Sequence, residues 1–267
     1  MPTPIPSESL SAFFAFHLKR SREQKGWSQS ELGARAGIPG DLVGGIEVCA
    51  RRPTRRLARS LDEVFGLEQF FAALYPRVIE EIGIPPGFAD FMEAEAEAAI
   101  IKLYENFAIS GLFHTNEYAR AVLRKGRHPD KVEQLLAARM ERAEVLRREA
   151  PPVIVALIDA SALRRSFGGP AVMRGQLEHL LSLAELPHVH VHVVPEDAEV
   201  LPEGSFALLS SSGEVDTGYA ETAGGRGRPV DEPGYIAELG TLFETIRAQA
   251  LNTEDSQVAI LKELEDL

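Results

Sequence analysis

Apolar positions recur at helical spacing through the first quarter of the chain. Phe13, Phe14, His17, Leu18 and Ser21 share one face, which predicts a helix over residues 9–24 with Gly26 as its stop. Ser28-Gln29-Ser30-Glu31 has the form of a capping box, so a second helix starts there, buries Leu32 and Ala36, and ends at Gly37. A third, short helix is expected over 39–47, with Pro39 in its first turn and Leu42, Val43 and Ile46 apolar. Thr54 can cap a fourth helix that turns Leu57, Leu61, Val64 and Phe65 inward and stops at Gly66. Residues 67–82 read as further helix, broken at Pro76.

The pattern then changes. Ile84-Pro85-Pro86-Gly87 is a plausible joint, giving a first domain over 1–82 and a second over 83–267. Residues 88–105 read as an acidic helix, with a turn at Ser110-Gly111 and a helix from Thr115. A long helix with alternating charges and a solvated surface is expected over 129–149. From Pro151 strands enter. VIVALID is a buried-type strand, HVHVHVV alternates strictly, and SFALLSS with VDTGYAE forms a hairpin across Ser212-Gly213. Helices are expected for ASALRRS, for 170–186, and twice after the Gly/Pro-rich loop at 223–234, over 232–250 and 253–266. The fold class is mainly α with α+β: an N-terminal five-helix-type bundle followed by an α+β domain with a small sheet.

Composition narrows the function classes. The 267 residues include 28 Lys and Arg against 40 Asp and Glu, a net charge of −12 that argues against a nucleic-acid partner. The sum hides an asymmetry. Residues 1–66 hold ten basic and seven acidic residues, a net +3, and the remaining 18 and 33 give −15. Cys49 is the single cysteine, so no internal disulfide framework or multi-cysteine zinc site is available, and a reducing cytoplasm is the expected location. The start of the chain has neither the charged n-region of a signal peptide nor a membrane-length apolar run, so no membrane partner is expected.

Two short helices joined by a Gly-containing turn inside a helical bundle is helix-turn-helix organisation. The order Gly26, Ser28-Gln29, Glu31-Leu32, Ala36-Gly37, Ile46-Glu47, Pro53 resembles the Cro-like, xenobiotic-response-element family of helix-turn-helix regulators, over residues 10–66. The resemblance implies double-stranded DNA as partner and a homodimer reading paired half-sites. It places Ser28 and Gln29 at the start of the second helix, with Gln29 anchoring on phosphate. It makes the third helix the recognition helix, with Gly40, Asp41, Gly44 and Gly45 towards the bases. It pairs Arg22 with Glu47 as a structural tie, and sets Arg51, Arg52 and Arg55 against the DNA backbone. Glycines cannot read base edges, so three readings stay open. The helix approaches DNA closely and reads shape, it binds weakly or with a partner's help, or it is kept as scaffold.

The second part also carries a resemblance. YENFAISGLFHTNEYARAVL, AARMER and VIVALIDASALRRSFGGPAVMRGQL are similar to the C-terminal domain of a large actinobacterial regulator family with WhiJ-like and antitoxin-like members, over about residues 88–266. It implies transcription regulation, repression included, and a C-terminal domain that senses a ligand or binds a small partner protein. Tyr104, Glu105, His114, Glu117 and Tyr118 are the candidate pocket residues. The main alternative is an antitoxin-like interaction protein with weak DNA binding.

Other chemistry is sparse. His188, His190 and His192 line one strand face, but i, i+2 side chains stand ~6–7 Å apart, too far for direct three-fold chelation. Gly224-Gly225-Arg226-Gly227-Arg228 lacks the strand-loop-helix context of a phosphate cradle. Cys49 beside Arg51 and Arg52 reads either as a thiol of lowered pKa or as a small filler. No nucleophile-elbow, zincin or Walker pattern is present, so neither an enzyme nor a cofactor or metal is expected.

Overall fold

A computed structural model describes residues 4–85, 87–200, 204–211, 217–221 and 227–267. The chain divides into two compact units, Met1–Asp90 and Phe91–Leu267.

The described residues of the first unit form five helices: α1 (Leu10–Gln24), α2 (Gln29–Ala36), α3 (Gly40–Glu47), α4 (Arg55–Phe65) and α5 (Phe70–Ile82). Their ends follow the local signals. Ser9 caps α1, and Ser28 and Glu31 close both halves of a capping box on α2. Thr54 Oγ1 accepts from Leu57 N at 3.1 Å, and Gly37 and Gly66 end α2 and α4 in the left-handed region. Phe14, Leu18, Leu32, Leu57, Leu61 and Phe71 are the fully buried centre. Pro76 does not break α5, contrary to expectation. It is exposed, so the carbonyl left without its N–H sits on the wet side of the helix. One cap was invisible locally. The buried Asp62 carboxylate, inside α4, accepts from Phe71 N and Ala72 N at 2.9 Å each and so holds the start of the next helix.

After α6 (Phe88–Glu97) the second unit alternates strands and helices. The order is β1 (Ile100–Glu105), α7 (Asn116–Lys125), α8 (Val132–Ala143), β2 (Val153–Asp159), α9 (Ala160–Arg164), α10 (Pro170–Ala184) and β3 (Val189–Val194). It continues with β4 (Phe206–Ser210), β5 (Thr217–Ala220), β6 (Arg228–Val230), α11 (Pro233–Arg247) and α12 (Thr253–Glu265). The strands form one sheet in the order β3-β2-β1-β4-β5-β6. β1, β2 and β3 are parallel, while β4, β5 and β6 join antiparallel. β2 and β3 are thus added on one side of β1 and β4 to β6 on the other. The crevice at the carboxyl end of β1 is a topological switch point, where open sheets of this kind bind ligands.

Three expectations are corrected here. Residues 100–105 are not the end of an acidic helix but the strand between β2 and β4. The β-branched pair Ile100-Ile101 and the two partner strands override the helix-favouring alanines before it. The long helix over 129–149 is shorter, with α8 followed by a 3-10 turn at Glu144–Arg147, and its surface is not simply solvated. The Gly/Pro-rich stretch contributes β6 to the sheet. The turn at Ser212-Gly213 and residues 224–226 of the glycine-arginine loop lie outside the described residues.

One face of the sheet packs on α11, with Tyr104, Leu157, Phe206 and Phe243 in a continuous apolar cluster. By strand alternation Leu103 and Glu105 point to the other face. The outer edge of β3 is occupied. Val193 N donates to Ser256 Oγ at 2.9 Å, and Leu251 N donates to the Val193 carbonyl at 2.9 Å. The opposite edge is the three-residue β6, with Pro229 at its centre. No helix among the described residues is long and apolar enough to cross a membrane.

Asp62→Ala should destabilise the first unit by about 1–2 kcal/mol through loss of the α5 cap. Urea unfolding of the variant against the parent checks this.

Candidate functional site

The helix-turn-helix is held by one carboxylate. Glu47, at the end of α3, accepts from Arg22 Nε at 2.6 Å and Nη2 at 3.0 Å. Gln29 Nε2 adds a third bond at 2.8 Å. Both charged partners are buried, and Arg22 also reaches the Trp27 carbonyl at 2.8 Å. The expected Arg22–Glu47 tie is therefore present. Gln29 is placed by one of its two amide N–H donors on Glu47, which leaves the second for a phosphate. Ser28 is likewise engaged, in the capping box.

The glycines of α3 serve packing. A Cβ on Gly40 would come within 2.8 Å of Ser30 Cα, so α2 and α3 approach backbone to backbone. A Cβ on Gly44 would meet Gln29 Oε1 at 2.9 Å, and one on Gly45 the Arg51 stem at 2.8 Å. The outer face of α3 then presents Asp41, which is exposed, the two glycines and the half-buried Val48. Arg51 and Arg52 are half-buried beside it. Arg55 Nε donates to Asp90 at 2.6 Å in a half-exposed pair. Cys49 sits at φ 57, the left-handed position of a helix stop. Cys49 is exposed, yet partial desolvation raises its thiol pKa, which speaks against an activated thiolate.

The second unit holds a different constellation, at the carboxyl end of β1. Arg142 of α8 grips the buried Glu95 through Nε and, at 2.7 Å, through Nη2. Arg139, one turn earlier, has no carboxylate within 4 Å among the described residues. Its Nη1 donates to His114 Nδ1 at 3.1 Å. His114 is buried, and its Nε2 donates to the Ile109 carbonyl at 2.7 Å. This arrangement needs the neutral imidazole, in keeping with burial and the Arg139 charge holding its pKa well down. Gln176 of α10 fixes the same loop, accepting from Thr115 N at 2.8 Å and donating to the Phe113 carbonyl at 2.7 Å.

Carboxylates face these cations. Burial, then the Glu221 charge, raise the Glu105 pKa from 4.5 to about 8, while Ser205 and Arg142 pull it back. Glu221 is raised by burial as well. Burial and the neighbouring Arg142 lower Arg139 to about 10. Two buried hydroxyls, Ser110 Oγ beside Glu105 and Tyr118 Oη beside the Ile109 backbone, meet no partner in good hydrogen-bond geometry.

The structure brings together Glu105, His114 and Tyr118 of the five expected pocket residues. Tyr104 belongs to the opposite face, in the α11 core, and Glu117 is exposed on α7. These two are corrections, because alternation separates Tyr104 from Glu105 and helix rotation turns Glu117 from Tyr118. Arg139, Arg142, Glu95 and Glu221 were missed. The i, i+3 spacing of Arg139 and Arg142 was the available signal, since it sets both on one face. The histidine strand gathers no metal site. His188 Nε2 bonds the Leu146 carbonyl at 3.2 Å and His192 Nδ1 that of Leu251 at 2.9 Å, and no three-residue metal-ligating group occurs among the described residues.

Glu47→Ala should cost the first unit about 3–5 kcal/mol, because it leaves Arg22 buried without its anion. Denaturant unfolding reads this. The fold favours protonated Glu105, so its contribution to stability is full below pH ~4.5 and is lost as pH rises through about 8. Glu105→Gln should therefore stabilise the chain at pH 8 and change little at pH 5. Thermal unfolding at the two pH values checks the sign.

Comparison with protein families matches both units. A helix-turn-helix domain family matches residues 14–69. A domain of unknown function (DUF5753) matches residues 88–262. No curated protein matches the chain. The second match covers most of the sequence and the whole sheet with its helices, so the chain belongs to the DUF5753 family and carries a helix-turn-helix domain ahead of that domain.

Proposed function

We propose that the protein is a DNA-binding transcriptional regulator that acts by binding rather than by catalysis. In this reading the helix-turn-helix docks in the major groove, and the DUF5753 domain senses a ligand or binds a small partner protein. The observation that carries it is the closed Arg22–Gln29–Glu47 clasp, which fixes α2 against α3 within the helix-turn-helix match, next to the basic run from Arg51 to Arg59. With Asp41 and glycines on the outer face of α3, base readout relies on close approach and DNA shape more than on side-chain hydrogen bonds. Paired half-sites call for a homodimer, acting in the cytoplasm.

A second reading is favoured by one observation. Gln29 Nε2 gives one of its two N–H donors to Glu47 and the α3 face offers glycines and Asp41, which leaves the face short of donors and suits an antitoxin-like protein with weak DNA affinity. Co-expression with neighbouring-gene products, followed by co-purification, supports that reading if a stoichiometric complex forms.

Gel shifts on the protein's own promoter region at 50 and 200 mM salt test the main reading. Binding should weaken steeply with salt, and Arg51→Ala with Arg52→Ala should weaken it further and flatten the dependence. No binding at low salt by folded protein overturns it.

A further inference from the structure

We propose that the cluster at the carboxyl end of β1 is a binding site for a small organic anion, a carboxylate or a phosphate ester. Arg139 is the cation that receives it, and the Tyr118 and Ser110 hydroxyls are its neutral donors. This rests on the reading of the DUF5753 domain as a sensor and gives that sensor a ligand chemistry.

The first argument is the contrast between two arginines on one helix. Arg142 is satisfied, with both fork nitrogens on the buried Glu95. Arg139 sits a turn away, half-buried, bonded to a neutral imidazole and to no carboxylate among the described residues. The carboxyls that face it, Glu105 and Glu221, make no close pair with it and are themselves pushed toward the protonated form by burial. A cation so weakly paired away from water is costly, so folds keep such groups for ligands or pay in stability. The guanidinium fork matches the oxygens of a carboxylate or phosphate in two parallel hydrogen bonds.

The second argument is independent. The hydroxyls of Tyr118 and Ser110 belong to residues with 0% and 1% exposure, and neither meets a partner in good hydrogen-bond geometry, although Ser110 lies against Glu105 and Tyr118 against the Ile109 backbone. The Ile109 carbonyl beside Tyr118 is taken by His114. A buried hydroxyl without a partner costs roughly 1–3 kcal/mol, so its retention over Phe needs a reason. An anion on Arg139 supplies acceptor oxygens to both. Aromatic edges stand next to the donors. Phe167 packs edge-on against Tyr118 with ring centres 5.7 Å apart, and Phe107 lies 6.1 Å beyond it, with Arg165 stacked at 4.2 Å. They suit an apolar body behind the anionic head.

The position is the third argument. Glu105 ends β1, which has β2 on one side and β4 on the other, so the cluster lies at the carboxyl end of the strand where the sheet order switches. Glu105 faces Glu221 just after β5, Ser205 just before β4, Ser110 of the loop, Tyr118 of α7, and Arg139 and Arg142 of α8. An anion next to Glu105 and Glu221 binds best when those carboxyls carry protons. Binding therefore takes up protons and weakens as pH rises past about 8.

Titration calorimetry on the full chain tests this with benzoate, phenyl phosphate and the neutral benzamide at pH 6.5 and 9. The expected result is binding of at least one anion in preference to benzamide, weaker at pH 9, with a preference between the two anions identifying the head group. Arg139→Ala should weaken binding by about tenfold or more, the loss expected for a charge-assisted pair. Tyr118→Phe should weaken binding while leaving thermal stability of the unliganded chain unchanged or raised, which a merely structural tyrosine would not do. Equal binding of benzamide, no binding of either anion, or anion binding indifferent to both variants overturns the proposal. Gel shifts with the bound anion separate the two readings. Anion binding at the cluster that leaves DNA affinity unchanged supports the site and counts against the sensor, whereas DNA affinity that responds only to benzamide overturns the anion site and leaves the sensor standing.

Discussion

The double pairing of β1 organises the second unit. It is hydrogen-bonded in parallel to β2 and antiparallel to β4, so it is the one strand on which both halves of the sheet meet. Its alternation then sends Tyr104 into the apolar layer under α11 and Glu105 to the polar side, where α8 delivers two arginines. A one-residue slip in register would exchange these positions and bury a carboxylate in the α11 core. The polar cluster is thus tied to the backbone pairing of the sheet, and not to loop conformation alone.

Two buried arginine–carboxylate forks show how similar chemistry serves different ends. In the first unit Glu47 takes two bonds from Arg22 and one from Gln29, Arg22 gives a third to the Trp27 carbonyl, and the constellation is closed. Such a closed set fixes helix geometry. In the second unit Arg142 and Glu95 form an equally complete pair, but Arg139, Tyr118 and Ser110 beside it are incompletely satisfied. Polar groups left open in a half-buried crevice are where recognition chemistry is expected.

The sequence was most readable where structure is decided locally. The capping box at Ser28 and Glu31, the stops at Gly37 and Gly66, and the alternation of residues 188–194 each specify an element within a few residues. Residues 100–105 were misread because they follow an alanine- and glutamate-rich helix without a breaker, and their state is set by partners at 153–158 and 206–210. The cluster was half legible for the same reason. Glu105, His114 and Tyr118 lie close in sequence, but Arg139 and Arg142 read as solvated charges until residues 95 and 221 are brought to them by the fold. The glycines of α3 seemed a loss of base-reading side chains, and the cause is the distance between two helix backbones.

The margins of the sheet carry a consequence for self-association. On one margin the hydrogen-bonding groups of Val193 are taken by Ser256 and Leu251, and on the other Pro229 removes a donor from the three-residue β6. At these points the described backbone groups are not open to a second chain, which works against edge-to-edge continuation of the sheet. Contacts between copies are then better served by side chains on helix or loop surfaces, where recognition is specific and reversible.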